Sequence, residues 1–176
     1  MGKTAVVYRS EYGSTKRYAT YIGEQLQADL FGTDDFKDIS SYDTVIYGGG
    51  IYGGSINGND WLKKNQEALC SKKLIIFTCG ISDPIDDKNR ESIYAGLKQC
   101  LTEDLVNRAK VFSFRGALDY KKLKFTHKGM MTVIFQFLKR KKDRSPEEEE
   151  MLKSREGAID FVDLSAADTL IKYVKE

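Results

Sequence analysis

The sequence predicts an α/β fold, a doubly wound five-stranded parallel sheet with the strand order 2-1-3-4-5. Short apolar runs alternate with amphipathic helical patterns, and Gly, Ser and Thr residues follow the ends of the runs. Runs that are apolar throughout are typical of strands buried on both faces of a parallel sheet. Because helical patterns separate the strands, we expect helices to cover both faces.

The predicted elements follow one another from the first residues onwards. The five predicted strands cover residues 5–8, 28–31, 45–47, 74–78 and 111–114, and the second is the weakest. Between them, helical spacing relates Tyr18, Ile22 and Leu26, and further helices are predicted over residues 59–69 and 87–105. A last helix over residues 164–174 should close the fold against the sheet.

One segment exceeds what this fold needs. A simple doubly wound domain requires only a short loop before its last helix, but here a long helical insert covers about residues 118–162. Loops of that length are usually functional or carry their own structure. The insert contains a helical pattern over residues 129–138, and Ser145, Pro146 and Glu148 form a helix start with a capping box. We predict a single domain over residues 1–176.

Composition restricts the function classes. The chain has 176 residues with a net charge of only +2, no apolar run of membrane-spanning length and no room for a leader before the first strand, so a cytoplasmic protein is expected. Cys70, Cys79 and Cys100 lack CxxC spacing, which argues against a disulfide framework or a zinc site. His127 is the only histidine, which argues against Ser-His hydrolases and most metal sites, and no metal is predicted.

The loop after the first strand has the composition of an anion site. It contains Ser10, Glu11, Tyr12, Gly13, Ser14 and Thr15. Short hydroxyl side chains and a glycine allow backbone N–H groups to converge on a phosphate at a helix N-terminus. Neither GxxxxGK[ST] nor GxGxxG occurs in the chain, so a mononucleotide monophosphate is favoured over a nucleoside triphosphate or a dinucleotide. The alternative is an ordinary turn that caps a helix.

Two further loops favour a ligand site over an ordinary turn. The third strand leads into a glycine-rich loop with Gly48, Gly49, Gly50, Ile51, Tyr52, Gly53 and Gly54. The fourth strand leads into Thr78, Cys79, Gly80, Ile81, Ser82 and Asp83. Glycines at strand ends allow the backbone to approach a flat ligand. Tyr52 is predicted to stack on that ligand, although an ordinary half-buried loop aromatic is the alternative.

These motifs carry a family resemblance. The pattern Ser10-x-x-Gly13-x-Thr15 resembles the phosphate signature of flavodoxins, with Tyr12 in place of a threonine, and the segment from Ser40 to Gly48 is similar to the family's lead into its first flavin loop. The resemblance covers residues 1–117 and the last helix. It implies non-covalent FMN, with the second and third loops flanking the flavin ring. Since the three loops lie outside the insert, we expect the cofactor site to be independent of it.

The insert indicates a particular branch of the family, and its charge pattern predicts contact with a membrane. A long basic insert after Gly116-Ala117-Leu118 is similar to that of FMN-dependent protoporphyrinogen dehydrogenases, which implies a quinone-linked enzyme. Residues 121–144 contain nine Lys or Arg residues and one acid, Asp143, around an apolar decamer. This pattern is typical of a helix lying on a membrane surface, so peripheral contact with the inner face of a membrane is expected. The alternative is a core-covering helix with solvated lysines.

Three function classes remain open. They are an FMN oxidoreductase of the protoporphyrinogen or quinone-linked type, an electron carrier that docks to redox proteins, and a binding module without flavin. Carriers of this family are generally acidic, which argues against the second class, and the glycine-rich loops argue against the third. A nucleic-acid partner is not expected, because no reading motif accompanies the basic charge. We nominate no catalytic residue, because the flavin carries the redox chemistry.

Overall fold

A five-stranded parallel sheet forms the centre of the molecule. The computed structural model describes residues 2–176, leaving aside the side chain of Glu147. The parallel strands are β1 (Thr4–Arg9), β2 (Asp29–Gly32), β3 (Thr44–Tyr52), β5 (Lys73–Gly80) and β6 (Lys110–Arg115), and a short strand, β4 (Ser55–Ile56), pairs antiparallel with β3. The strand order β2-β1-β3-β5-β6 confirms the predicted doubly wound arrangement.

Seven α-helices accompany the sheet in the described residues. They are α1 (Ser14–Leu26), α2 (Asn59–Leu69), α3 (Asp87–Lys98), α4 (Glu103–Arg108), α5 (Phe125–Arg140), α6 (Pro146–Lys153) and α7 (Asp168–Lys175). Single 3-10 turns precede α5 and α7, at Tyr120–Lys122 and Leu164–Ala167. Within the insert, β7 (Ala117–Leu118) and β8 (Ile159–Asp160) form a separate antiparallel pair that the sequence pattern did not reveal.

Alternation along the strands divides the apolar core between the two faces of the sheet. Val7, Val45 and Ile76 point to the face covered by α2, α3 and α4. Val6, Ile46 and Ile75 point to the opposite face, which α1 and α7 cover. All six side chains are completely buried. This burial on both faces explains why the strands read as continuous apolar runs.

Several predicted boundaries were wrong. The helix predicted over residues 129–138 is longer, Phe125–Arg140, and the first part of the helix predicted over residues 164–174 is a 3-10 turn. The helix predicted over residues 87–105 is two helices, because the chain turns after Lys98 and Thr102 caps a new helix by accepting a hydrogen bond from Leu105 N (3.4 Å). The predicted third strand was too short, because β3 continues through the glycines that we expected to be a loop. Gly48 is required there by packing: a Cβ atom would lie 2.1 Å from the ring of Phe77.

The insert forms a third apolar cluster at the carboxyl edge of the sheet. Its buried members are Leu118, Leu123, Met131 and Phe135, and the half-buried Tyr12 and Ile81 pack against them from the loops after β1 and β5. The predicted capping box at Ser145 and Glu148 is present at the start of α6. The insert is therefore joined to the very loops from which we expected it to be independent.

Candidate functional site

A cavity of about 300 Å³ opens at the carboxyl edge of the parallel strands. Ligands of doubly wound sheets bind at this edge, near the point where the strand order reverses. Thirteen of the nineteen residues in the three predicted loops line the cavity: Tyr12, Ser14, Thr15, Ile51, Tyr52, Gly53, Gly54, Thr78, Cys79, Gly80, Ile81, Ser82 and Asp83. The other six are Ser10, Glu11, Gly13, Gly48, Gly49 and Gly50, which hold the surrounding backbone or contact other elements.

The loop after β1 leaves two backbone donors available. Gly13 precedes α1 with φ +98°, a conformation that favours glycine. Ser10 Oγ accepts hydrogen bonds from Gly13 N (3.1 Å) and Lys16 N (3.3 Å). Within the part of the chain that the structure describes, the N–H groups of Ser14 and Thr15 have no acceptor. Free N–H groups in the first turn of a helix are suited to a phosphate group.

Glu11 and Tyr12, both predicted to contact the cofactor, bind the insert in this structure. Glu11 forms an ion pair with Lys124, which raises the pKa of that lysine through a side-chain hydrogen bond. The Tyr12 hydroxyl accepts a hydrogen bond from Lys124 N (3.2 Å) and lies 2.5 Å from Nδ1 of His127. The first loop therefore has two sides, one with free N–H groups and one held by the insert.

Tyr52 stands at the turn between β3 and β4. Gly53 and Gly54 make this turn with φ +58° and +79°, so both central residues of the hairpin have positive φ. Gly49 and Gly50 lie within β3, where added Cβ atoms would meet Ile56 and the Tyr52 ring respectively. These two glycines therefore provide room for protein side chains.

The ring of Tyr52 already has a stacking partner. It lies parallel to the His127 imidazole, with 4.9 Å between the ring centroids and 8° between the planes. Tyr12 meets the same Tyr52 ring edge-on at 5.8 Å. Burial raises the pKa of the Tyr52 hydroxyl, so this group stays protonated at neutral pH. A flat aromatic surface is thus present in the cavity, and a residue of the insert already stacks on it.

The end of β5, which includes Thr78, Cys79 and Gly80, and the loop after it contribute mostly backbone and apolar groups. Burial raises the pKa of the Cys79 thiol to about 12, against the opposing effect of a hydrogen bond with Thr15. Cys79 is therefore a neutral thiol at physiological pH and not a nucleophile. Thr78 Oγ1 donates a hydrogen bond to Ser113 Oγ (3.0 Å), and Asp83 Oδ1 accepts one from Ile85 N (2.9 Å). Both side chains thus stabilise the rim of the cavity.

The insert contributes a whole wall of the cavity that sequence reasoning missed. Its lining residues are Leu118, Leu123, His127, Met130, Met131, Ile134 and Met151. The spacing of His127, Met130, Met131 and Ile134 was visible as one face of a helix. What the spacing did not disclose is that this face turns towards the carboxyl edge of the sheet. A contribution of α3 to the wall, through Asn89, Ser92 and Ile93, was also missed.

The lining as a whole suits a mononucleotide with a flat ring. Two free backbone N–H groups lie at one part of the cavity, whereas aromatic, aliphatic and methionine side chains surround the rest. Small-molecule sites are typically apolar clefts of this size with a few placed polar groups. The donors of Ser14 and Thr15 fit a phosphate, and the surfaces of Ile51, Tyr52 and Ile81 fit a planar ring.

Fold and site together place the molecule among the doubly wound α/β proteins with a nucleotide-type site at the switch edge. Residues 5–145 match the sequence model of the flavodoxin domain. The chain therefore belongs to the flavodoxin family, which agrees with the prediction of FMN as its cofactor. The match includes α5, so the family assignment extends into the insert.

Solved structures with a similar fold include several flavoproteins. The flavoprotein of Lactobacillus acidophilus in complex with FMN is 14% identical, with 65% of this chain and 93% of that chain covered and a TM-score of 0.45. Oxidised flavodoxin 2 of Bacillus cereus is 21% identical over 64% of this chain and 84% of that chain, with a TM-score of 0.45. An NADH:FMN oxidoreductase in its apo form is 17% identical over 65% and 75%, with a TM-score of 0.44. No curated protein sequence matches the chain.

Among the described residues, no helix is both long enough and apolar enough to cross a membrane.

Proposed function

We propose that the cavity binds FMN and that the chain is an FMN-dependent oxidoreductase whose substrate is held beneath α5. The observation that carries this proposal is the shared cavity, which the predicted flavin loops and one face of the insert helix line together. Family membership supports the cofactor. The free N–H groups of Ser14 and Thr15 support the position of its phosphate.

The covered cavity favours an enzyme over an electron carrier. A carrier must bring its cofactor close to the surface of a partner protein, but here Met130, Met131 and Ile134 lie over the cavity. Methionine adapts to irregular apolar ligands, because its side chain is flexible and polarizable. The substrate class that suits this wall is a large, apolar, conjugated ring. Protoporphyrinogen IX as donor and a quinone as acceptor are the specific proposal, supported by the resemblance of the insert.

The residues of the chain take separate roles in this proposal. Ser14 and Thr15 donate backbone N–H groups to the phosphate, and Tyr52 orients the ring. FMN, when bound, would supply a two-electron acceptor, so the six-electron oxidation of protoporphyrinogen IX would take three rounds, with the quinone as the final acceptor in each. His127, the only imidazole of the chain, lines the same cavity and can accept a proton released by the substrate. Tyr12 positions that imidazole through the hydrogen bond to Nδ1.

A combined binding and turnover experiment tests the proposal. The purified chain is stripped of ligand, titrated with FMN and with riboflavin, and followed by flavin absorbance and fluorescence. We expect FMN to bind more tightly than riboflavin, because only FMN carries the phosphate. The loaded protein is then assayed anaerobically with protoporphyrinogen IX and a quinone, and in parallel with a soluble dye as acceptor.

The outcomes separate the alternatives. Binding of FMN with turnover of protoporphyrinogen supports the complete proposal. Binding of FMN without turnover of any reduced ring substrate, together with fast electron exchange with a redox protein, overturns the enzyme in favour of a carrier. A chain that binds neither flavin is a binding module, and the proposal is then wrong.

A further inference from the structure

The outer face of α5 carries three large apolar side chains in solvent. The side chains of Phe125, Val133 and Phe137 are 92%, 68% and 67% exposed, and they include the most exposed large hydrophobic residue of the described chain. At 3.6 residues per turn, these positions fall within an arc of about 120°. Gly129 lies in the same arc, with nothing within 4 Å of a Cβ atom added there. The four residues define what we call the outer stripe.

The outer stripe lies opposite the buried face of α5. Met131, Phe135 and Leu138 are buried on the inner face of α5, so packing within the molecule is already satisfied without the stripe. A surface helix of a globular protein normally turns charged or polar residues outwards. Helix α5 contains no acidic residue, and its outward face presents Phe125, Val133 and Phe137 beside the exposed Thr126, Gln136 and Arg140. Exposed apolar patches of this kind mark interaction sites.

Unpaired positive charge surrounds the outer stripe at both ends of α5. Of the nine basic residues between 121 and 144, Lys122, Lys124, Lys141 and Arg144 form ion pairs with acidic side chains. Lys128 lies over the ring of Tyr120, 6.0 Å from its centroid. For Lys121, Lys139, Arg140 and Lys142, no ion pair is found with the side chains that the structure describes. These four residues are exposed.

From this arrangement we propose that α5 docks on the surface of an anionic lipid bilayer, with Phe125, Val133 and Phe137 inserted among the lipids. Phe125 and Phe137 lie about 18 Å apart along the helix, at a rise of 1.5 Å per residue. A flat surface that is negatively charged throughout can attract the basic residues at both ends of such a stripe at the same time. Apolar insertion with flanking basic residues is the physical pattern of an interfacial helix.

Other occupants fit the surface less well. A second copy of the chain would add the same basic residues to the interface, and like charges repel. A small acidic ligand would neutralise the charges but leave the three apolar side chains in water. Docking on a bilayer leaves the cavity side of α5 towards the sheet and places its outer side in the lipid.

Vesicle co-sedimentation of the full-length chain tests the proposal. The probes are vesicles of phosphatidylcholine mixed with phosphatidylglycerol and vesicles of phosphatidylcholine alone, each at low and high salt. We expect binding to the anionic vesicles at low salt, weakened by added salt because screening shortens the range of the lysine charges. The measurement is made with and without FMN, so that a failure of the cofactor proposal is seen separately from a failure of docking.

Matched variants locate the contact. The double variant Phe125→Ser/Phe137→Ser should weaken vesicle binding by about 100-fold or more, roughly tenfold or more for each large apolar side chain withdrawn. Lys139→Gln/Lys142→Gln should weaken it by about 25-fold, about fivefold for each basic residue removed. The controls are Leu30→Ser on β2, which removes a 37% exposed apolar side chain, and Lys63→Gln/Lys64→Gln on α2. We expect the controls to bind vesicles like the unmodified chain.

Three results would overturn docking. They are no binding to anionic vesicles at low salt, equal losses in the control variants, and formation of dimers through α5 in sedimentation velocity instead of vesicle binding. Circular dichroism checks that each variant is folded. The lipid and salt dependence of the unmodified chain decides the question even where a variant fails to fold.

Discussion

The sheet core and the insert differ in how completely they bury their apolar side chains. In the sheet, Val6, Ile46 and Ile75 are completely buried between the strands and the covering helices. In the insert, α5 buries one apolar face and leaves Phe125 and Phe137 exposed on the other. Burial in the sheet core serves stability, because each buried side chain contributes about 1.5–3 kcal/mol. An exposed phenylalanine contributes little to stability, so stability does not explain why Phe125 and Phe137 lie in solvent.

The two regions also divide the cavity between them. The carboxyl ends of β3 and β5 bring the turn at Tyr52 and the loop after Gly80, whereas α5 brings His127, Met130 and Met131. The joint between the regions is polar and local, with Glu11 paired to Lys124 and Tyr12 bound to His127. The comparison teaches that the glycine-rich side of the cavity belongs to the core, while the opposite wall, with His127, belongs to the insert.

The largest expected effect concerns the cores themselves. Phe77→Ala removes a fully buried ring from beneath Gly48, and we expect a loss of about 3–5 kcal/mol in the free energy of unfolding. Phe135→Ala empties the third cluster to a similar degree, but its effect should appear as local opening of the insert with little change in global stability. Denaturant unfolding and hydrogen exchange measure the two quantities. An equal global loss for both variants would show that insert and sheet unfold as one unit.

The next effect concerns the histidine of the insert. If His127 accepts the substrate proton, His127→Gln should lower turnover by about 100-fold, the lower end of the range for general acid–base catalysis. FMN affinity should stay unchanged, because the phosphate donors and the β3–β4 turn belong to the core. Thr126→Ser, at the exposed neighbouring position, is the control. Normal turnover in His127→Gln would remove the proton role from the insert.

A smaller effect is expected at the aromatic surface. Tyr52→Ala should weaken FMN binding by roughly 1 kcal/mol, the scale of one aromatic contact, and should raise flavin fluorescence by removing a quencher. Tyr52→Phe keeps the ring and should bind FMN nearly as the unmodified chain does. Fluorescence titration measures both. If the alanine variant binds FMN normally, the ring of Tyr52 serves only to support His127.

The last comparison concerns one glycine from each region and includes the smallest effect, that of Gly129→Ala. Gly13→Ala places a side chain at φ +98°, which should cost about 1–2 kcal/mol and weaken FMN more than riboflavin. Gly129→Ala lies in α5 with open space around it, so it should stabilise the helix by about 0.5–1 kcal/mol and leave FMN binding unchanged. Thermal unfolding and ligand titration check the pair. Loss of FMN in the Gly129 variant would mean that the outer side of α5 also shapes the cavity.

Much of the core was predictable because its signals are local. The helix at 59–69 was predicted with the bounds that the structure shows, because neighbouring residues determine both its polar start and its apolar face. The capping box of Ser145 and Glu148 was equally visible. The break after Lys98 was not, because Leu97, Leu101 and Leu105 keep helical spacing across it and pack into one cluster. Periodicity indicates which side chains face the core. It does not reveal a turn after which the side chains still face the core with the same spacing.

The sequence by itself determined the doubly wound sheet, the glycine-rich edge and the basic, apolar character of the insert. These follow from periodicity, turn chemistry and charge, which depend on near neighbours in the chain. Only the tertiary structure decided that His127 stacks on Tyr52, that Glu11 binds Lys124 rather than facing a ligand, and that Phe125 and Phe137 point outwards. These contacts join residues more than seventy positions apart or depend on how a helix is rotated on its support. Such choices are made by the packing of whole elements, which no local pattern encodes.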